Sequence, residues 1–191
     1  MSGKQAKILS DQQITSLLVF ASASRNPFRN SLIVLLSVKA GLRAGEIANL
    51  TWDMVVDPTG DIGSAIELRD CAAKKNSGRL IPIHPTLRTA LAAWRKKTAG
   101  SGPIIRSERG GPMTPTSIVN WFAIAYRAIG LEGCSSHSGR RTFITRAARL
   151  VHKAGGSLRD VQLLAGHRSI QTTQRYIDGD SDAQRKLVAM I

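Results

Sequence analysis

Residues 163–177, LLAGHRSIQTTQRYI, pass from an apolar stretch into a polar one that carries one of the two tyrosines in the chain. His167 and Tyr176 are nine residues apart, and one continuous helix would place them on opposite faces. Ser169 is a favoured helix N-cap residue, so it predicts a break between the two side chains. The sequence therefore predicts a turn followed by a new helix, which lets His167 and Tyr176 converge.

The chain around this stretch is strongly basic. Its 191 residues include 27 Lys and Arg against 13 Asp and Glu, which gives a formal net charge of +14. Of the basic residues, 14 lie in 1–100 and 13 in 101–191, so a binding surface is assembled from the whole domain. This balance predicts a polyanionic partner, with nucleic acid as the first candidate and an anionic membrane surface as the second.

Several classes of protein are disfavoured by the sequence. The N-terminal residues are polar and show no signal peptide, and no apolar run approaches the ~20 residues of a membrane helix. Cys71 and Cys134 are isolated and form no C-x-x-C motif. We therefore expect a cytoplasmic protein with reduced thiols and no metal site. A role at a membrane surface is disfavoured, because no basic amphipathic helix carries aromatic residues.

The pattern of apolar residues, caps and turn residues predicts a mostly helical domain with one small antiparallel sheet (α+β). The sheet is expected from three short segments, 63–70, 71–77 and 78–83, and residues 103–115 are expected to form a loop. Ser10 and Gln13 have the spacing of a capping box at the start of the first helix. Helices are predicted over residues 11–22, 27–41, 43–52, 84–100, 116–130, 137–156, 157–167, 169–179 and 181–191.

Polar residues recur at helical spacing in two places. His137 and Arg140 are three residues apart and share a helix face, and Arg43 and Glu46 have the same spacing. Gly139 removes a side chain between the first pair, which predicts that a large partner approaches the backbone there. Each pair alone is a weak signal.

Four segments together resemble the catalytic domain of the tyrosine recombinases, the phage-integrase and Xer-like enzymes. They occur in the order and at the spacing of that family, and the resemblance covers about residues 10–180. It implies the fold of the tyrosine-recombinase catalytic domain and a site-specific DNA recombinase or integrase. The segments are AGLRAGEIANLTW (40–52), AAKKNSGRLIPI (72–83), SHSGRRTF (136–143) and LLAGHRSIQTTQRYI (163–177).

The resemblance implies a role for each matching residue. Arg43 and Arg140 match the two arginines that bind the scissile phosphate, and forked guanidinium hydrogen bonds suit that task. Tyr176 matches the nucleophile that forms a 3′-phosphotyrosyl link, which conserves bond energy without ATP or metal. Tyr126 lies in an apolar helix and is expected in the core.

The remaining catalytic positions follow from the same resemblance. Lys74 matches the lysine that protonates the leaving 5′-oxygen, with Lys75 as the alternative. His137 matches a histidine that assists proton transfer, and His167 matches a position that contacts the phosphate near the tyrosine. Glu46 matches an acidic support for Arg43 or His137, but its spacing equally fits a surface ion pair with Arg43.

The resemblance implies double-stranded DNA as the partner, with other protomers of the same protein in a tetramer on DNA, although the free chain can be a monomer. It also implies that the reaction uses no cofactor and no small-molecule substrate. The helix that enters a groove is 114–129 or part of 137–151. The resemblance also points to a bacterial, phage or plasmid origin. The basic residues expected to contact DNA are Lys75, Arg79, Arg141, Arg168 and Arg175.

The domain organisation expected is a single catalytic domain over 1–191, with a core of about 10–180 and a tail helix over 181–191. Members of the family that the chain resembles commonly carry an N-terminal helical domain that clamps the opposite face of DNA. No such separate domain is expected here, so the chain fits either an excised catalytic domain or a naturally compact recombinase. The tail helix is expected to pack either on a neighbouring protomer or on the protomer to which it belongs. Two other functions stay open: relaxation of DNA like a type IB topoisomerase, and DNA binding by a catalytically silent architectural protein.

Overall fold

The computed structural model describes residues 6–73, 77–176 and 188–191. Within them the chain is mostly helical, with one two-stranded antiparallel sheet and a single 3-10 turn at Trp52–Met54, as the sequence predicts for the fold class. The elements in chain order are α1 (Asp11–Ser22), α2 (Pro27–Lys39), α3 (Ala44–Ala48), β1 (Ala65–Leu68), β2 (Arg79–Pro82), α4 (Pro85–Arg95), α5 (Pro115–Ala128), α6 (Ser138–Leu150), α7 (Leu158–Ala165) and α8 (Ile170–Gln174).

Helix α2 is the centre of the core. Its apolar residues 32–36 are at most 5 % exposed, and α1, α3, α4 and α6 pack around it. Helix α1 begins with the predicted capping box: the Ser10 hydroxyl accepts from the Gln13 N–H at 3.2 Å, and the Gln13 side chain accepts from the Ser10 N–H at 2.9 Å. Trp52 and Tyr126 are fully buried, and for Tyr126 this confirms the prediction of a core position.

The sheet has two strands instead of three segments. β1 and β2 pair antiparallel with Ala65 opposite Pro82 and Leu68 opposite Arg79. The prediction of a strand over 71–77 is wrong for residues 71–73, which form a turn because the Ala72 and Ala73 N–H groups donate to the Arg69 carbonyl. Residues 74–76 lie outside the described residues.

Three predicted helices are shorter than expected, and the one predicted over 84–100 ends at Arg95. The helix predicted over 43–52 ends at Ala48, because the backbone beyond it pairs with another loop: Ile104 N–H donates to Leu50 O at 2.9 Å. The helix predicted over 137–156 ends at Leu150. There the chain turns through Gly155, whose φ of +74° belongs to the left-handed region that glycine favours.

Gly139 serves packing inside the protein, and the prediction that it admits a large partner is wrong. It is buried in the first turn of α6, and a Cβ there would lie 2.9 Å from the Ser37 Cβ and collide with the Ser37 hydroxyl on α2. The glycine therefore lets α6 pack closely against the central helix. This contact places the start of α6 near the end of α2, where Arg43 follows.

A second apolar cluster joins α6 and α7. Its buried members include Ile144, Ala148, Val161 and Ala165, and Tyr176 packs against it. This cluster fixes the end of α7 relative to α6. It thereby holds the segment that carries His167 and Tyr176 against the helix that carries Arg140.

Three further observations concern residues outside these clusters. Cys71 is exposed and Cys134 half-buried, and neither forms a disulfide. Among the helices described, none has both the length and the apolarity needed to cross a membrane. The described residues contain no group of three or more His, Cys, Asp or Glu side chains placed to hold a metal ion.

Candidate active site

Arg43 is held at a sharp turn between α2 and α3. Gly41 has a φ of +64°, and a Cβ at this position would collide with the Phe143 ring on α6, so glycine is required twice over. Arg43 then caps α3 with an extended backbone, and its N–H donates to Glu46 Oε2 at 3.0 Å. The Arg43 side chain remains 24 % exposed, which leaves it accessible to a ligand.

Glu46 is the buried centre of the site, and its carboxylate is 1 % exposed. Besides the Arg43 backbone, it accepts from Arg43 Nη1 at 2.6 Å and from both terminal nitrogens of Arg79, at 3.1 and 3.0 Å. Burial alone would raise the pKa of Glu46, but the hydrogen bonds and charges of Arg79 and Arg43 outweigh it and lower the pKa to about 2. Glu46 is therefore an anion at neutral pH, and its burial favours the support role over a surface ion pair.

Arg79, at the start of β2, lies inside this network and is 6 % exposed. Its Nε donates to the Leu164 carbonyl of α7 at 2.8 Å. This differs from the prediction of a direct DNA contact, because burial and the bonds to Glu46 and Leu164 turn the guanidinium inward. Arg79 therefore links the sheet to both α3 and α7.

Arg140, in the first turn of α6, is the most deeply buried of the arginines in the site, at 3 % side-chain exposure. Its Nη1 donates to Gly41 O and its Nη2 to Ala165 O, both at 2.6 Å. Burial, then repulsion from Arg43, lowers the pKa of Arg140 to about 10, so it is still a cation at neutral pH. The two carbonyls come from the turn before α3 and from the last residue of α7, and Arg140 holds these two segments together.

His167 follows the left-handed residue Gly166, φ +63°, which ends α7. Its Nε2 lies 3.2 Å from Arg140 Nη2, and its Nδ1 lies 2.9 Å from the Thr173 hydroxyl. Because an arginine only donates, Nε2 must accept, and the ring proton then sits on Nδ1 and donates to Thr173. Burial, followed by the charges of Arg140, Arg43 and Arg79, lowers the pKa of His167 to about 4, which keeps the ring neutral.

Tyr176 meets His167 as the sequence predicts. The two rings stack at 5.3 Å between centroids with 24° between their planes. Ser169 is the N-cap residue of α8, so the predicted break lies where expected, although its hydroxyl makes no capping bond and Gly166 completes the turn. The Thr145 hydroxyl donates to the Tyr176 carbonyl at 3.3 Å and ties the end of α8 to α6.

A cavity of about 350 Å³ opens beside Tyr176. His137, exposed at the N-cap of α6, lines it together with Arg141 and Arg175. The Nε atom of Arg141 is buried and has no hydrogen-bond partner. The cavity thus brings the candidate nucleophile, a histidine and two cations around one space.

The structure brings most of the predicted site residues together. Arg43 is hydrogen-bonded to Glu46, and Arg140 to His167, while the Arg140 guanidinium lies 4.0 Å from the Glu46 carboxylate. Tyr176 stacks on the His167 ring. Arg168 is exposed on the turn that precedes α8. Lys74 and Lys75 lie outside the described residues.

Tyr126, the competing tyrosine, is 2 % exposed in α5, and its hydroxyl has no hydrogen-bond partner. Burial raises the pKa of its phenol far above the usual value, which opposes formation of a nucleophilic phenolate. It belongs to the core, as the sequence predicts.

Three contributors to the site were missed by the sequence reasoning. Gly41 supplies a carbonyl to Arg140, Thr173 supplies the hydroxyl to His167, and Gln162 Nε2 donates to the His167 carbonyl at 2.8 Å. Thr173 lies three residues before Tyr176, and this helical spacing could have identified it. Gly41 and Gln162 carry no comparable signal, because their roles depend on contacts with distant segments.

Known proteins are similar to this chain in sequence. The profile of the phage integrase family matches residues 7–182. The tyrosine recombinase XerC of Brucella suis is 28 % identical over 158 residues, which cover 80 % of this chain and 47 % of that protein. XerC of Rhizobium meliloti is 29 % identical over 184 residues, covering 92 % of this chain and 54 % of that protein. The chain thus spans about half the length of these curated relatives.

Solved structures show the same fold. The crystal structure of XerA recombinase superposes with a TM-score of 0.75 at 24 % identity, covering 96 % of this chain and 64 % of that one. A lambda integrase dimer bound to a COC′ core site gives a TM-score of 0.72 at 22 % identity, covering 95 % and 62 %. The family profile, with its match over residues 7–182, shows that this chain belongs to the phage integrase family.

Proposed function

We propose that this chain is a catalytic domain of a site-specific DNA recombinase, which cuts and rejoins DNA strands through a covalent bond to Tyr176. Membership in the phage integrase family and the likeness to XerC recombinases support the reaction class. The proposal places one catalytic domain over residues 1–191, with a core of about 10–180. Of the tail helix predicted over 181–191, residues 181–187 lie outside the described residues.

The observation that carries the proposal is an excess of buried positive charge. Arg43, Arg79 and Arg140 surround a single carboxylate, that of Glu46, and Tyr176 lies at the edge of the group. Buried charges are costly unless they are paired. A phosphodiester supplies the missing anion, and its non-bridging oxygens match the forked donors of arginine.

The proposed reaction balances without an outside reagent. The Tyr176 oxygen attacks phosphorus, its proton leaves to a base, and the bond from phosphorus to the 5′-oxygen breaks. Lys74, or Lys75 as the alternative, donates the proton that turns the leaving oxygen into a 5′-hydroxyl. Attack by a 5′-hydroxyl on the phosphotyrosyl bond reverses these steps, so neither ATP nor a metal is required.

The arginines and histidines have separate tasks in this scheme. Arg43 and Arg140 neutralise the charge that builds up on the non-bridging oxygens in the transition state. His137 lines the cavity beside Tyr176, where it can accept or return a proton. Neutral His167 holds Arg140 through Nε2 and supports the Tyr176 ring by stacking.

Affinity for DNA comes from the basic surface. Arg141, Arg168 and Arg175 contact backbone phosphates near the cavity, and Lys75 does so from the segment before β2. Other protomers of the same protein complete an assembly on double-stranded DNA; dimers and tetramers on DNA are described for lambda integrase. The bacterial source of the XerC relatives supports action in a bacterial cytoplasm.

Covalent capture tests the nucleophile. The protein is incubated with a pool of duplexes nicked at random positions, denatured with detergent, and the protein-linked DNA is recovered and sequenced. Wild type should trap DNA through a peptide containing Tyr176, because a nick lets the cut strand diffuse away before rejoining. Tyr176→Phe should bind DNA and trap none, since it lacks the attacking oxygen.

Tyr126→Phe is the matched control, because it removes a buried hydroxyl that has no hydrogen-bond partner. It should trap as much DNA as wild type. An adduct formed by Tyr176→Phe would reassign the nucleophile. Tight binding without any adduct in wild type would favour the architectural function, and relaxation of plasmids without a preferred sequence would favour the topoisomerase-like one.

A further inference from the structure

Arg79 spends most of its hydrogen-bonding capacity inside the protein. A guanidinium carries five N–H groups. Four are placed on acceptors: Nε on Leu164 O at 2.8 Å, Nη1 on Glu46 Oε1 at 3.1 Å and on Ser77 O at 3.3 Å, and Nη2 on Glu46 Oε2 at 3.0 Å. A side chain so committed and so buried is poorly placed to bind a ligand directly.

The Glu46 carboxylate is saturated because of Arg79. Each carboxylate oxygen accepts one bond from Arg79 and one from Arg43, either from its side chain or from its backbone. Arg140 Nη1 remains 4.0 Å from Glu46 Oε2, beyond hydrogen-bond distance. Arg79 thus occupies positions on the carboxylate that Arg140 would otherwise be drawn to.

The second tie reaches the segment that carries His167 and Tyr176. Leu164 is the penultimate residue of α7, and Gly166 directly precedes His167. A Cβ at Gly166 would lie 2.9 Å from both Cδ and Nη1 of Arg79, so the glycine gives the arginine room to pass. Arg79 therefore joins β2, α3 and the end of α7 through one planar group.

We propose that Arg79 is a positioning residue that saturates Glu46 and ties α3 to the end of α7, so that Arg43 and Arg140 keep their remaining N–H groups for one phosphate. The proposal rests on the proposed function, because the phosphate is that of the DNA strand to be cut. It assigns Arg79 no contact with DNA.

Loss of Arg79 has a specific consequence under this proposal. Glu46 would lose two hydrogen bonds while remaining buried, and an uncompensated buried carboxylate attracts the nearest cations. Arg140 would move the short distance toward Glu46 and away from the phosphate. Removing the charge of Glu46 should then remove the cause of the defect, so Glu46→Gln should rescue an Arg79 variant.

A double-mutant cycle measures this rescue. Wild type, Arg79→Met, Glu46→Gln and the double variant are compared by the rate of adduct formation in a single turnover. We expect Arg79→Met to slow the reaction by on the order of 100-fold and the double variant to react within about 3-fold of Glu46→Gln alone. Independent, multiplying defects would overturn the proposal.

The salt dependence of DNA binding separates positioning from contact. Removing a residue that contacts a phosphate reduces the magnitude of the negative slope of log K against log salt by about 1. Arg79→Met should leave that slope unchanged, whereas Arg175→Met, which removes an exposed arginine, should make it shallower. A slope for Arg79→Met that is shallower than that of wild type would make Arg79 a DNA contact and overturn its assignment as a positioning residue.

Thermal unfolding of the same four proteins tests, without any reaction, the inference that Arg79 acts by saturating Glu46, which we call the Glu46 link. Arg79→Met should lower the Tm by on the order of 10 °C, and adding Glu46→Gln should recover part of that loss. A further drop in the double variant would contradict the link; Arg79→Lys replaces Arg79→Met if the latter does not fold. If wild type forms no adduct while the Tm values still show rescue, the proposed function fails and the Glu46 link stands.

Discussion

Glu46 illustrates how one buried acid organises several cations. Its spacing from Arg43 is visible in the sequence, but the same spacing fits a surface ion pair. Burial to 1 % exposure depends on Arg79 and α7, which approach from elsewhere in the chain. The supporting role could therefore be suggested from the sequence but not separated from its alternative, because that separation needs the desolvation that only the folded chain provides.

His167 should make the stability of the protein depend on pH. Its pKa is about 4 in the folded protein and 6.5 in the unfolded chain, so below 6.5 the unfolded chain binds the extra proton. Its contribution is therefore full above pH 6.5 and is lost as the pH falls toward 4. We expect the loss to be on the order of 2 kcal/mol once solvent screening is allowed for.

His167→Gln removes the titrating ring and should flatten the stability curve between pH 6.5 and 4, as measured by urea unfolding. Glu46 has a lower window, because its pKa falls from 4.5 to about 2 on folding and its contribution is lost only as the pH drops through that range. The variant should keep this second loss. A slope between pH 6.5 and 4 that matches wild type would show that His167 is not the group responsible.

At the scale of elements, the corner between α7 and α8 is where local sequence signals succeed. Ser169 is the N-cap residue of α8 as predicted, although its hydroxyl makes no capping bond. Gly166 ends α7 in the left-handed conformation that its own backbone readily adopts. The turn at 71–73 shows the opposite case. A short segment between two strands carries no signal that decides between a strand and a turn, and hydrogen bonds to Arg69 O decide it in the folded chain.

Gly166→Ala should destabilise the protein beyond the strain of a left-handed alanine, because the new Cβ would push Arg79 off Glu46 and Leu164. Gly155 is the matched control: its φ of +74° is similar, and no atom lies within 4 Å of a Cβ there. We expect about 1 kcal/mol for Gly155→Ala and about 2 kcal/mol or more in addition for Gly166→Ala. Equal losses in urea unfolding would mean that Arg79 adapts without cost.

At the scale of the whole molecule, the site is assembled from segments that are far apart in sequence. Arg140 donates to Gly41 O across 99 residues, and Arg79 donates to Leu164 O across 85. Spacing and periodicity describe single helices and contain no information about such pairs. The convergence of Arg43, Arg140 and His167 could be expected only from the resemblance to a known family, whereas the inward turn of Arg79 could not.

Binding of DNA should weaken steeply with salt, because the net charge of +14 is spread over both halves of the chain and not confined to a tail. Each phosphate that a basic residue neutralises contributes about −0.9 to the slope of log K against log salt. If Arg43 and Arg140 share one phosphate while Arg141, Arg168 and Arg175 each take another, four phosphates are neutralised and the slope should be about −3.6. Fluorescence anisotropy with a duplex over a range of NaCl concentrations measures it, and a flat response would contradict an electrostatic DNA interface.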